Sequence, residues 1–310
     1  MSILDRRLIV VTGKGGVGRT AVAAALGLAV ARGGRRALVV EVAAQRQVAA
    51  LFGASPRDPF AETPLVPNLS GLSIDPQRAL EEYLMLQLRV PALAQKLAES
   101  RAFGAIAAAA PGLREIVTLG KVWHLAEQVA RDGRPRYDVI VLDAPATGHG
   151  IGLLQAPRAF SEIARVGRVH DEARRIAAFV SDPARTAVVL VTRPEEMPVN
   201  ETVDATRRLD ELGLPVGTIV VNGVYPDRFD PDDVERLREA TPSGETGEAA
   251  VRAALSTAAC ARDQAAERAR LAESVAAPLV DLPVLFRAEL DGEGIGMLAE
   301  RLLAGLEDRA

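Results

Sequence analysis

Residues 8–32 constrain this chain more than any other stretch. Leu8-Ile9-Val10-Val11-Thr12 is apolar and β-branched. It runs straight into Gly13-Lys14-Gly15-Gly16-Val17-Gly18-Arg19-Thr20, and an alanine-rich helical stretch follows. Strand, glycine-rich loop and helix in that order form the setting of a phosphate-binding P-loop. The glycines let successive backbone N–H groups turn inward around phosphate oxygens, and the helix adds the positive end of its dipole. Thr20 offers a hydroxyl to Mg²⁺. Arg19 stands where the motif has lysine; it is still a cation, but longer and planar, and not interchangeable with a compact ammonium.

The rest of the chain repeats the alternation. Apolar β-branched runs at 8–12, 37–41, 139–143, 186–192, 215–222 and 278–281, and a weaker one ending near Ile74, are separated by helical patterns such as 20–32 and 199–211. Several runs are apolar on both faces, as strands in the middle of a helix-covered parallel sheet are. The pattern predicts βαβ units and an α/β fold, with a doubly wound, mostly parallel sheet in one domain spanning residues 1–310.

Between 76 and 134 the rhythm breaks. Asp75-Pro76 opens a helix with an N-cap residue and a proline in its first turn. Helical patterns continue to 89, then over 91–101 and 113–131, and a second helical block covers 151–180. The two blocks are expected to form a helical subdomain on one side of the sheet. The Pro/Asp/Gly-rich stretch 225–247 reads as a mobile connection on either side of a short helix.

Composition removes several classes. Cys260 is the lone cysteine, so neither an internal disulfide nor a Cys/His zinc cluster can be built within the chain. With 37 basic residues against 41 acidic ones and no basic block, a large nucleic-acid footprint is not expected. The first residues are polar and charged, and the longest apolar run, 21–31, is shorter than the about 20 residues needed to span a bilayer. The expectation is a cytoplasmic protein without an integral membrane segment, though open to a membrane partner.

Two further motifs carry chemistry. Val139-Ile140-Val141-Leu142-Asp143 is an apolar strand ending in a carboxylate, the pattern that sets an aspartate near Mg²⁺ beside a P-loop. It continues as Ala144-Pro145-Ala146-Thr147-Gly148-His149-Gly150. Lys14 directly follows the first glycine of the loop.

These residues resemble the ArsA-type ATPases, the family of the arsenical pump-driving ATPase and of the ATPase that delivers tail-anchored membrane proteins. The resemblance rests on the deviant Walker A loop with Lys14, and on Asp143-Ala-Pro followed, after the interposed Ala146, by Thr147-Gly148-His149. It extends to Pro111-Gly112 and Glu115, to the segment 191–198 with Glu201 and Thr202, to Val220-Val221-Asn222, and to Val280-Asp281-Leu282-Pro283. It implies a P-loop ATPase that binds ATP with Mg²⁺ and works as a homodimer, or as a heterodimer with a paralogous ATPase, on a client protein that the sequence does not name. Gly13, Lys14, Gly15, Gly16, Val17, Gly18, Arg19 and Thr20 would cradle the phosphates. Lys14 would reach across the dimer to the partner's phosphates, Thr20 and Asp143 would hold Mg²⁺, and Asn222, Leu282 and Pro283 would meet the adenine.

The chain also departs from that family. Its members carry Asp-Pro-Ala after the second strand, where the aspartate orients the attacking water. Here the chain reads Val40-Glu41-Val42-Ala43-Ala44. Glu41 is left either to take the catalytic place or to fix the strand end. Two other classes compete with an active ATPase: a nucleotide-binding regulator or heterodimer subunit with little hydrolysis, and a partitioning ATPase acting on DNA or membrane. The long helical blocks, the near-neutral charge and the Thr-Gly-His loop argue against the last.

Overall fold

The computed structural model describes residues 2–42, 46–58, 60–87, 112–163, 166–214 and 216–307. The expected helix at 91–101, Pro111, Ala43 and Ala44 lie outside the described residues. Eight strands form one sheet: β1 (Leu8–Gly13), β2 (Ala37–Val42), β3 (Thr63–Val66), β4 (Leu69–Ile74), β5 (Val139–Asp143), β6 (Thr186–Thr192), β7 (Val216–Val224) and β8 (Leu279–Pro283). Their order is β3-β4-β2-β5-β1-β6-β7-β8. Every pairing is parallel except β3 with β4. The α/β, doubly wound, mostly parallel sheet read from the sequence is therefore the fold.

Alternation along the central strands explains the two-faced apolar runs. Leu8 and Val10 of β1 and Ile140 and Leu142 of β5 enter one core. Ile9, Val11, Val139 and Val141 enter the other. The second face is covered by α1 (Arg19–Arg32), α2 (Gln47–Leu51) and α10 (Gly292–Glu307). Residues 22–31 of α1 are all buried, because the helix lies between the sheet and α10. A helix enclosed in this way carries no polar stripe.

The first face is covered by α3 (Pro76–Gln87), α4 (Leu113–Glu127), α5 (Thr147–Ile163), α6 (Arg168–Ser181) and α7 (Glu196–Glu211). Ile116, Leu119, Leu125, Leu153, Ile176 and Phe179 from this block join the strands' core without a break.

β3 and α9 (Gly244–Ser274), like α2 and the one-turn helix Ile3–Asp5, were not read from the sequence. β3 is an edge strand that turns back onto β4 through Pro67-Asn68, with Asn68 in the left-handed region at φ 63°. Its Pro64 is tolerated because an edge strand leaves one row of backbone groups unpaired, and the same proline hides the strand from a periodicity reading. α9 is a 31-residue helix whose described residues bury only Gln264 and Leu271, so it shows almost no apolar face. α8 (Pro231–Glu239) is the short helix of the 225–247 stretch, started by a reciprocal Asp230–Asp233 capping box.

Gly27 marks the closest approach of α1 to the sheet. A Cβ there would lie 2.4 Å from Val39 Cγ2 and 3.0 Å from Leu69 Cδ1. Helix propensity alone would make Gly27→Ala stabilising by about 1 kcal/mol. Overpacking against a stiff valine costs about 1–3 kcal/mol, so the substitution should lower the denaturant midpoint. Combining it with Val39→Ala should cost less than the two single losses added together, and additive losses would contradict this packing.

Candidate nucleotide-binding site

The candidate groups lie at the carboxyl ends of β1, β2, β5, β7 and β8, where an open parallel sheet places its ligand crevice. β1 ends at Gly13 and the loop enters α1 through Gly18, which sits at φ 91°. A Cβ on Gly18 would come within 2.2 Å of Asn222 Nδ2. The Asn222 amide donates to Val17 O at 2.8 Å, so β7 holds the loop by a bond that only a bare backbone admits. By contrast, a Cβ on Gly15 or Gly16 would meet nothing within 4 Å. The inner side of the loop is open space beneath the start of a 14-residue helix, a cradle fitted to phosphate oxygens.

Thr20 and Asp143 meet because β1 and β5 are neighbours, with Val11 in register with Asp143. The Thr20 hydroxyl donates to Asp143 Oδ2 at 2.6 Å. Burial pushes the Asp143 carboxyl above the ordinary aspartate value, while the Thr20 hydrogen bond and the Arg19 charge pull it back. A hydroxyl and a poorly solvated carboxylate side by side are hard oxygen donors, and they fit Mg²⁺.

The two basic residues of the loop are occupied within the chain. Arg19 donates from Nη1 to Ala144 O, so its guanidinium braces the backbone just beyond Asp143. Lys14 Nζ lies 2.8 Å from Glu201 Oε1 on α7. His149 is exposed in the first turn of α5. Behind it the segment 144–150 is clamped: the Thr12 hydroxyl donates to Pro145 O at 2.8 Å, and a Cβ on Gly150 would lie 2.4 Å from Thr12 Oγ1.

Glu41 lies one strand away from Asp143 and in register with it, on the α1 face. Its buried carboxylate accepts from Gln47 N at 2.9 Å and Val48 N at 3.2 Å, which fixes α2 to the end of β2. Ser73 stands next in the same row, buried, with no hydrogen-bond partner for its hydroxyl among the described residues. Val42 turns the other way and packs on the core of the opposite face. One residue that sequence reading passed over comes into the site: Gln47, whose Oε1 lies 3.3 Å from Thr20 Oγ1.

A cleft of ≈ 350 Å³ beside the loop is lined by Val17, Gly18, Asn222, Tyr225, Pro283 and Leu285, among others. It offers apolar walls, the edge of the P-loop and one amide, a setting suited to a flat heteroaromatic base. Pro283 is on its wall. The Leu282 side chain is fully buried in the core below it. Tyr225 and Leu285 follow the strand ends of β7 and β8; no motif spacing marks them, only their place just past Asn222 and Pro283.

The environment of Glu41 makes stability depend on pH. Burial raises its carboxyl above the ordinary glutamate value, the negative charge of Asp143 adds to that, and the two backbone N–H bonds only partly offset it. The folded chain thus holds this proton to higher pH than the unfolded chain. Its contribution is fully present below the ordinary glutamate value and is lost as pH rises through the raised one. Glu41→Gln removes the titration and keeps an oxygen to accept the N–H bonds. Denaturant melts across that window should show the parent losing stability relative to the variant as pH rises; a constant difference would contradict the assigned environment.

Comparison with known proteins agrees with this geometry. The profile of a family described as anion-transporting ATPase matches residues 6–166 and 161–241. The ATPase BagA of Mycobacterium tuberculosis is 35% identical over 257 residues, covering 81% of this chain and 74% of that protein. The arsenical pump-driving ATPases of Acidiphilium multivorum and Escherichia coli are both 29% identical, over 70% and 69% of this chain; in each case the match spans 39% of the longer relative. With its P-loop, its Thr20–Asp143 pair and this match across most of its length, the chain belongs to the anion-transporting, ArsA-type ATPase family.

Proposed function

We propose that this protein is an ATP-binding, dimeric ArsA-like ATPase that couples nucleotide state to the handling of a client protein with an apolar segment, tail-anchored or other hydrophobic cargo. The observation that carries the reading is the path of α5. This helix begins at Thr147, four residues after Asp143, and its Phe160 lines an apolar cleft between α3, α4, α5 and α6. The cleft has a volume of ≈ 290 Å³ and is walled by Leu80, Ile116, Val117, Val169 and Ile176. Its polar margin is already paired: Lys121 with Glu82 at 2.6 Å, and the Tyr83 hydroxyl with Glu172 at 2.9 Å. One helix, interrupted by Pro157, therefore runs from the segment after Asp143 to the apolar cleft, and a shift at Asp143–Thr147 would be passed along it to Phe160.

In this reading the P-loop N–H groups and Arg19 face the phosphates, Asn222, Tyr225 and Pro283 hold the base, and Thr20 and Asp143 hold Mg²⁺. The metal would neutralise charge on the phosphates as the terminal one is transferred to water. The protein's own share is positioning and preorganised charge. Lys14 would leave Glu201 to reach the partner's phosphates, so dimer closure and the breaking of that ion pair go together. Arg19's bond to Ala144 O and the absence of a carboxylate at Val42 or Ala43 favour slow turnover, which also suits a regulatory or heterodimeric subunit with little hydrolysis.

Thr20→Ala removes a metal-side hydroxyl, so Mg·ATP affinity or turnover should fall roughly 10- to 100-fold; it also deletes the hydrogen bond to Asp143, worth about 1.5–3 kcal/mol, so the thermal midpoint should drop while the variant still folds cooperatively. Titration with a fluorescent ATP analogue and phosphate release decide it. Unchanged binding and unchanged turnover in a folded variant would remove the P-loop assignment.

A further inference from the structure

The family resemblance leaves the attacking water without a positioning group in this chain, because the place of the expected carboxylate falls on Val42 or Ala43, and neither side chain can hydrogen-bond to water. We propose that Gln47 supplies that group, and that Glu41 is the positioning residue beneath it. The inference rests on the ATPase reading above.

Four observations converge on Gln47. Its side-chain amide stands at the phosphate end of the site, 3.3 Å from the Thr20 hydroxyl that is itself bonded to Asp143, and away from the base cleft on Asn222 and Pro283. It is exposed, and its amide oxygen lies against the Thr20 hydroxyl, where a bound nucleotide and its water could reach it. A cleft of ≈ 390 Å³, lined by Thr20, Ala21, Gln47, Ala50, Leu51 and Leu290, opens beside it and leaves room for water. Its backbone is also fixed. The Glu41 carboxylate takes the N–H groups of Gln47 and Val48, and Val48 and Ala49 are buried in the core under α1. Glu41 is anchored in β2, in register with Asp143 of β5. Gln47 is thus held to the strand beside the one that carries the metal-side carboxylate.

A glutamine amide suits the task. Its oxygen accepts a hydrogen bond from water and its NH₂ donates one, so it can orient a lone pair without being a base. The water oxygen would form a bond to the γ-phosphorus while the bond from that phosphorus to the bridging oxygen breaks. The electron pair stays on ADP, and the water's proton leaves with inorganic phosphate. Gln47 ends the step in the form in which it began.

The test compares the parent, Gln47→Ala, Gln47→Glu and Glu41→Gln on the full chain. The readouts are affinity for a fluorescent ATP analogue, steady-state phosphate release, and retention of labelled ADP in the presence of aluminium fluoride, which reports the transition-state geometry without turnover. Gln47→Ala should bind nucleotide within about twofold of the parent, yet lose about tenfold or more in kcat and in fluoride-dependent ADP retention, the pattern of a group used only in the transition state. Gln47→Glu keeps an acceptor and should retain part of both. Glu41→Gln keeps its N–H bonds and should sit between parent and Gln47→Ala. ADP retention and turnover in Gln47→Ala equal to the parent's would overturn the assignment of Gln47 and leave nucleotide binding standing. A parent that does not bind the ATP analogue would overturn the ATPase reading, and the role of Gln47 with it. If the parent binds and traps nucleotide but turns over no faster than Thr20→Ala, the loss of trapping in Gln47→Ala still decides for the proposal and its persistence against it.

Discussion

The hydrogen bond from Thr20 to Asp143 is where the sheet, the loop and the helix meet, and the rest of the site depends on it. It exists because β1 and β5 are adjacent and parallel, so the helix that leaves β1 delivers its first turn to the end of β5. The groups around it are arranged from that point. Arg19 braces the chain beyond Asp143, Asn222 fixes the loop from the other side, and Glu41 fixes α2 next door. Burial makes the Asp143 carboxylate costly to ionise, and a bound divalent cation removes that cost. The site is built to be completed by a ligand.

The two faces of the sheet divide the work. α1, α2 and α10 on one face hold the P-loop and the row Asp143, Glu41 and Ser73. α3 to α6 on the other enclose the apolar cleft. The α5 helix is the material connection between them, since it starts in the segment clamped by Thr12 and ends at the cleft wall. Close packing on both sides of Pro157 would carry a displacement at the start of α5 toward the cleft.

What was legible in the sequence was local. Consecutive residues specify the P-loop and the β5–Asp143 ending, and two-faced apolar runs specify the central strands, so the α/β sheet could be read directly. β3 was hidden by Pro64, and α9 by an alanine-rich surface that lacks an apolar stripe. The pairings Lys14–Glu201, Arg19–Ala144 and Thr20–Gln47 join residues brought together only by the fold, and no spacing along the chain encodes them. Glu41 could be placed near the site from sequence, but its bonds to Gln47 and Val48, which tie α2 to β2, required the structure.

The central claim is that nucleotide at the P-loop is felt in the helical block. The chain contains one tryptophan, Trp123, and it lies on α4 between cleft-lining residues Lys121 and His124, packed against the core. Its emission is an internal reporter outside the lining of the base cleft. The account predicts that saturating Mg·ATP shifts the Trp123 spectrum in the parent protein and that Thr20→Ala abolishes the shift. A parent spectrum unchanged at nucleotide concentrations shown independently to saturate the site would contradict the coupling.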